Sequence, residues 1–472
     1  MSDVTLSLIS HTNVGKTTLA RTLLRKDVGE VLDQAHVTEV SEAHELVTSG
    51  DHRLLLWDTP GLGDSARLVS RLRNEGNPLG WLLHQVWDRN RDRPLYSSQE
   101  AVRNIKEAAD VVLYLVNASE SPEDAGYVSW ELELLTWIGK PVIVLLNQMG
   151  EPTSGEDDAI ARWEAFVAGW PIVKHVLPLD AFTRCWVQEG VLLARVEDVL
   201  PQERREPMRA LARAWQERSL AVFDEASARI GAYLTAAAAD QEPLGEDAGR
   251  AEKRRAMRAL ADRLDLATRS LMEALLDLHG LQGRYQEEAR ARLEEDFRMP
   301  GEAAWSGGAA MLGAAMGGAA GGLAADVITG GLSFGAGALA GAILGAMGAA
   351  GLLKGFQLAV GPDEPVVRWA QELLRDLAQQ TLLRYVAVAH FGRGRGEWRE
   401  VQSVQRWSAL VDRSLKSRID ALAARIVEAR REPPPRSAVA ERTTSLVRDV
   451  LREVLCTAYP QAVDILSTTR GR

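Results

Sequence analysis

The sequence predicts an α/β N-terminal domain, a doubly wound and mostly parallel sheet, followed by an all-α region that carries a Gly/Ala-rich helical hairpin. Three observations predict it. Six short apolar runs separated by helical stretches fill roughly the first 200 residues; strand signals then give way to long charged amphipathic stretches; and residues 307 to 353 hold a single ionisable residue, Asp326.

The six strand candidates are Val4 to Ile9, Val40 to Val47, Leu54 to Asp58, Val111 to Val116, Val142 to Leu146 and Val173 to Leu177, with helical stretches such as Gln99 to Ala109 and Tyr127 to Ile138 between them. Between the first strand and a helix beginning at Leu19 lies Ser10-His11-Thr12-Asn13-Val14-Gly15-Lys16-Thr17-Thr18. This segment has the composition of a nucleotide phosphate cradle. Gly15 lets the backbone bend close to phosphate oxygens, loop N–H groups point inward, Lys16 reaches the β and γ phosphates, and the Thr17 hydroxyl ligates Mg²⁺. Ser10 stands where the usual pattern has glycine, and it serves as long as its φ is negative.

A second motif supports the first. The third strand ends in Asp58-Thr59-Pro60-Gly61, which places a carboxylate where it holds Mg²⁺ through water while the Gly61 N–H meets a γ phosphate. Thr38, in His36-Val37-Thr38-Glu39-Val40, is the candidate switch threonine that closes on Mg²⁺; a solvent-facing strand threonine is its plain alternative. Residues 65 to 98, with Trp81 and Trp87, form an insertion beside the second motif, whose aromatics are read as core anchors, the alternative being a segment that senses nucleotide or meets a partner.

With the cradle ending NVGKT and the second motif DTPG, the first 200 residues resemble bacterial P-loop GTPases related to the translation-factor branch, the 50S ribosome-binding GTPase-like family. The resemblance implies GTP and GDP as ligands, Mg²⁺ as cofactor and hydrolysis as the activity. The family's fourth motif, Asn-Lys-x-Asp, falls on Asn147-Gln148-Met149-Gly150: Asn147 fits, whereas Gln148 and Gly150 depart, and Gly150 has no carboxylate for the guanine edge. The fifth motif falls on Leu179-Asp180-Ala181-Phe182. There Asp180 either supplies the missing carboxylate or caps the next helix. Leu62 replaces the glutamine that orients attacking water in typical GTPases. The resemblance also assigns Asn13 to a potassium ion that stands in for an arginine finger, making Lys16, Asn13 and Thr38 the catalytic set. His11 is left without a role.

Beyond Pro201, Arg204 to Ala238 and Arg250 to Phe297 are amphipathic stretches with charge pairs such as Glu288 and Arg292. Residues 307 to 325 and 327 to 353 are each near or above the length that spans a bilayer as a helix. Glycines recur at helical spacing, Gly313, Gly317 and Gly321 in one arm and Gly337, Gly341 and Gly345 in the other, giving small ridges suited to close helix approach. Two readings stand: a hairpin turning at Thr329-Gly330-Gly331 and entering a membrane, conditionally on nucleotide or a partner, or a hairpin buried between soluble helices. Glycine costs about 1 kcal/mol relative to alanine in a helix, which favours the membrane. Pro365 to His390 resumes a helical period, Arg393 to Arg431 is mixed-charge with a basic excess whose residues around Arg393 are read as a solvated helix face or, alternatively, as a contact for anionic headgroups, and a last helix from Ala438 to Leu455 follows Pro433-Pro434-Pro435. The expected domains are 1–200, 201–300, 301–358 and 359–472. This layout resembles bacterial GTPases fused to a C-terminal domain of unknown function, and in outline the dynamin-type and immunity-related GTPases.

The chain has 472 residues, 46% hydrophobic and 25% charged, which places it among globular proteins of two or three domains. Cys185 and Cys456 are too few for a disulfide framework or a metal site. A net charge of -10 argues against general nucleic-acid binding. The first strand begins almost at Met1, so no signal peptide is expected and the expected location is cytoplasmic, peripherally or conditionally at the inner membrane. Three functions compete: a switch GTPase coupled to a membrane or membrane-protein partner, a self-associating membrane remodeller, and an NTP-binding scaffold with little hydrolysis.

Overall fold

Val111–Asn117 is the strand about which the sheet is arranged, and its sequence VVLYLVN explains why: a run without alternation suits a strand covered on both faces, and six of its seven residues are buried. The computed structural model describes residues 2–25, 42–84, 93–149, 156–181, 185–281, 356–360, 365–391 and 401–467. Six strands, β1 (Ser2–Ser10), β2 (Glu42–Ser49), β3 (His52–Asp58), β4 (Val111–Asn117), β5 (Val142–Asn147) and β6 (Val173–Pro178), form one sheet in the order β2-β3-β1-β4-β5-β6. All neighbours are parallel except β2 and β3. All six strands expected from the sequence are present.

The register aligns the C-terminal ends of the strands. Leu8 pairs with both Asp58 and Leu113, and Asn117 pairs with Asn147, so Ser10, Asp58, Asn117 and Asn147 reach one edge. In open α/β sheets that edge is where ligands sit. Helices α1 (Lys16–Leu24), α2 (Ser65–Leu72), α3 (Pro78–His84), α4 (Arg93–Ala108), α5 (Tyr127–Ile138), α6 (Glu156–Val167) and α7 (Trp186–Val199) connect the strands and follow β6. Helix α2 buries Ser65, Leu68, Val69 and Leu72, an i, i+3, i+4, i+7 stripe, and Asp64 caps it by accepting a hydrogen bond from the Arg67 N–H at 3.1 Å. The insertion between residues 65 and 98 contributes α2, α3 and the start of α4; Trp81 packs on the core, as expected, and Trp87 lies outside the described residues.

The chain divides into two compact units, Met1–Leu220 with His390–Ser403 and Tyr459–Arg472, and Ala221–Ala389 with Val404–Ala458. The long helix α8 (Gln202–Ala239) begins in the first and ends in the second. The second unit is mainly helical: α9 (Arg250–Leu278), α10 (Gln371–Ala389), α11 (Val401–Lys416), α12 (Ile419–Arg431) and α13 (Ser437–Ala458). In the first unit a 3-10 turn (Pro460–Ala462) and α14 (Val463–Leu466) follow.

One feature of the second unit departs from the all-α expectation. Strands β7 (Gln241–Pro243), β8 (Phe356–Val360) and β9 (Pro365–Trp369) form a small antiparallel sheet in the order β7-β9-β8. The helical period expected from Pro365 therefore begins only at Gln371. Packing decides the strand: Trp369 stacks on Phe356 with centroids 4.7 Å apart, and Val366 and Val367 are buried. The glycine-rich stretch from 307 to 353 lies outside the described residues. Among the described residues no helix is long and apolar enough to cross a membrane.

Candidate functional site

The loop between β1 and α1 is shaped by two left-handed residues. Asn13 has φ 64 and Gly15 has φ 95, and a Cβ added at Gly15 would sit 2.8 Å from Nδ2 of Asn147. Glycine is required there by conformation and by space together. Asn tolerates the left-handed region better than most residues, which fits exposed Asn13 to its position. Ser10 ends β1 outside the left-handed region, its hydroxyl donating to the His11 carbonyl at 2.6 Å. Serine for glycine therefore costs no backbone strain here.

Lys16 and Thr17, the first residues of α1, converge on the end of β3. Lys16 Nζ is 2.7 Å from Asp58 Oδ1, and Thr17 Oγ1 donates to Asp58 Oδ2 at 2.8 Å. Lys16 and Asp58 are both buried, so this is a shielded ion pair at the N-terminus of a helix, where backbone N–H groups and the macrodipole favour anions. Thr59 is held by its hydroxyl donating to the Leu8 carbonyl at 2.8 Å. Gly61 packs against the loop, and a Cβ on it would stand 3.3 Å from both Cα and Cγ2 of Thr12. Leu62 is fully buried, and its N–H donates to the Ser10 carbonyl at 2.9 Å. The position of the missing glutamine is thus filled by a core side chain.

A second cluster lies at the ends of β5 and β6. Asn147 is fully buried and joins two loops: its Nδ2 donates to the Val14 carbonyl at 2.7 Å, and its Oδ1 accepts from the Ala181 N–H at 2.8 Å. Thr22 adds a tie from α1 by donating to the Ala181 carbonyl at 3.2 Å. Gln148 has φ 56, and its Nε2 lies over Gly15. Asp180 accepts from the Met149 N–H at 3.2 Å, so its carboxylate stands beside the fourth motif. It is not the cap of the following helix: α7 has Cys185 at that position.

Val14 and Thr18 are buried in the cradle and hold it to the domain, while Thr12 and His11 are half-buried. Thr38, Gly150 and Phe182 lie outside the described residues. The structure also brings in a residue with no sequence assignment, Glu131 of α5, whose Oε1 is 2.7 Å from Nδ1 of His11. A signal was present: in YVSWELELLTWI the buried face runs Val128, Leu132, Leu135, and Glu131 falls on it.

The oxygens of Thr17 and Asp58 are hard donors, and they are the side chains that would hold a Mg²⁺ ion here. Among the described residues there is no group of three or more His, Cys, Asp or Glu able to hold a metal by itself.

Residues 174–455 match the family of the domain of unknown function DUF3482. The chain belongs to that family. In this DUF3482-family chain residues 5–148 match a second family, described as 50S ribosome-binding GTPase. The N-terminal domain is a P-loop GTPase domain, and the expected combination with a C-terminal domain of unknown function is borne out. Similar solved structures include Era from Aquifex aeolicus bound to GDP and AlF4⁻, 19% identical, covering 43% of this chain and 58% of that chain with a TM-score of 0.32. A probable GTP-binding protein, engB, is 18% identical and covers 42% of this chain and 98% of that chain, with a TM-score of 0.25. NFeoB from S. thermophilus is 15% identical and covers 45% of this chain and 88% of that chain, also with a TM-score of 0.25. The DUF3482-family chain thus spans little more than half the length of the Era chain it matches. No curated protein matches it.

Proposed function

We propose that the N-terminal domain binds GTP with Mg²⁺, hydrolyses it, and reports the nucleotide state to the helical unit, which meets a membrane or a membrane-protein partner through the 307–353 segment. The observation that carries the nucleotide part is the convergence of Lys16 and Thr17 on Asp58 at the C-terminal edge of parallel strands, beside a left-handed glycine packed against Asn147. In this reading Lys16 exchanges Asp58 for the β and γ phosphates, and Thr17 and Asp58 are the residues that would hold the metal, which would neutralise phosphate charge. Asn147 fixes the loop under the base and Asp180 accepts from the guanine edge, a role that Gly150 cannot fill. Guanine presents two adjacent donors there, whereas adenine presents an acceptor and no matching pair, so a carboxylate discriminates between them.

Thr38 closing on Mg²⁺ and a potassium ion beside Asn13 belong to the same proposal; equal turnover in K⁺ and Na⁺ removes the potassium. Membrane association rests on the sequence of the glycine-rich stretch, and the cytoplasmic face of the inner membrane is the location it implies. Sedimentation with anionic liposomes, with and without a GTP analogue, tests it, and recovery wholly in the supernatant in both states counts against it. Nucleotide-dependent oligomers on those liposomes distinguish the remodeller.

A scaffold with little hydrolysis is favoured by one observation, the burial of Leu62 where a water-orienting side chain is common. Measuring phosphate release from GTP and ATP separates the readings. The switch predicts release from GTP well above that from ATP; release at the background rate with both leaves the scaffold.

A further inference from the structure

The start of the phosphate loop and the segment that follows Asp58 run side by side. His11 forms a parallel backbone bridge with Leu62, and the Leu62 N–H donates to the Ser10 carbonyl at 2.9 Å. Thr12, one residue further along the loop, is in contact with Gly61. A Cβ built on that glycine would stand 3.3 Å from Thr12 Cα, 3.3 Å from its Cγ2 and 3.5 Å from its backbone N. The methyl of Thr12 therefore packs on Gly61, and the hydroxyl is the other branch of the same Cβ.

Two heavy atoms on Cβ make threonine stiff at χ1, so a methyl seated on Gly61 also fixes the direction of the hydroxyl. Thr12 is half-buried, and among the described residues its hydroxyl has no hydrogen-bond partner and is not sealed from solvent. The two neighbours are committed elsewhere. Leu62 is fully buried, so the side chain at the position where a glutamine commonly orients water is withdrawn into the core. His11 has its Nδ1 2.7 Å from Glu131 Oε1 and its ring stacked on Tyr127, with centroids 4.4 Å apart. A hydroxyl can do what an amide does at such a place, because its lone pairs accept from water and its O–H donates to a phosphate oxygen.

We propose that Thr12 is a further catalytic residue, whose hydroxyl orients the attacking water and contacts the γ phosphoryl group in place of the glutamine absent at position 62. The inference rests on the GTP-hydrolysis reading above, with the Gly61 N–H meeting the γ phosphate. In the step, the water oxygen bonds to the γ phosphorus as the bond from that phosphorus to the β–γ bridging oxygen breaks. GDP leaves with the electron pair, and the water proton ends on an oxygen of the released phosphate. Thr12 accepts a hydrogen bond from the water, donates one to a γ oxygen, and is itself unchanged. Its methyl is already packed in the free protein, so the hydroxyl needs no reorganisation at the moment of reaction.

The test is single-turnover hydrolysis of GTP with Mg²⁺ by the full chain, read together with the affinity for a non-hydrolysable GTP analogue. Thr12→Val keeps the branched shape and the contact with Gly61 and removes only the hydroxyl. It is expected to lower the hydrolysis rate by about a hundredfold while the affinity stays within about twofold of the wild type. Thr12→Ser keeps the hydroxyl, gives up the methyl, and is expected to retain most of the turnover. A residue that only packs gives the opposite order, Thr12→Val active and Thr12→Ser impaired, and that order overturns the inference. If Thr12→Val fails to bind the analogue, Thr12→Ala takes its place, and wild-type turnover in Thr12→Ala likewise overturns the inference. Absence of nucleotide binding, or of hydrolysis above background, in the wild-type chain overturns the GTPase reading and this inference with it. Wild-type hydrolysis that survives undiminished in Thr12→Val overturns this inference alone.

Discussion

The phosphate end and the base end of the site are built differently. At the phosphate end one unbroken segment, Ser10 to Thr18, supplies the loop and the lysine, and Asp58 from outside it meets both Lys16 and Thr17. At the base end no segment suffices: Asn147 from β5 clamps Val14 on one side and Ala181 on the other, and Asp180 stands against Met149. The phosphate end depends on backbone conformation and therefore tolerates little change, as Gly15 illustrates. The base end needs only hydrogen-bonding groups at a given place, which more than one loop can supply, and that is why we propose Asp180 for the carboxylate absent at position 150.

That contrast can be broken at several points. The largest effect is expected at Lys16, where Lys16→Ala removes the cation that meets the developing charge and lowers GTP turnover by about a thousandfold in a phosphate-release assay. Gly15→Ala comes next. It forces a left-handed alanine against Asn147 and should destabilise the domain by about 3 kcal/mol in urea denaturation, with loss of nucleotide binding. Asn147→Ala removes two buried hydrogen bonds, each worth about 1 kcal/mol, and should lower stability by about 2 kcal/mol by the same measurement. If Asn147→Ala costs as much as Gly15→Ala, the base end is as rigid as the phosphate end and the contrast fails. Thr22→Val sharpens it from the other side: one hydrogen bond of 3.2 Å is lost, and about 1 kcal/mol is the expected cost.

The six strands were legible because their apolar runs are long enough to stand out and because Gly, Pro or charged stretches separate them. The three strands of the second unit were not. Gln241-Glu242-Pro243 has no aliphatic or aromatic residue, and Pro365 to Trp369 runs into a helix whose period masks it; pairing with β7 and β8 and the stacking of Trp369 on Phe356 make a strand there. In the site, the convergence of Gly15, Lys16, Thr17 and Asp58 could be anticipated, since each stands in a short contiguous motif. Glu131 could not be assigned, since its partners at positions 11 and 114 meet it only through the sheet and the packing of α5.

The central claim, that Asp180 reads the guanine edge in place of the missing fourth-motif carboxylate, is tested most directly by equilibrium binding of GDP and ADP, with Mg²⁺, to the wild-type chain and to Asp180→Asn. The account predicts GDP bound at least about a hundredfold more tightly than ADP by the wild type, with most of that preference lost in the variant while stability is unchanged. Equal affinity for the two nucleotides in the wild type, or a guanine preference that survives Asp180→Asn, would contradict it.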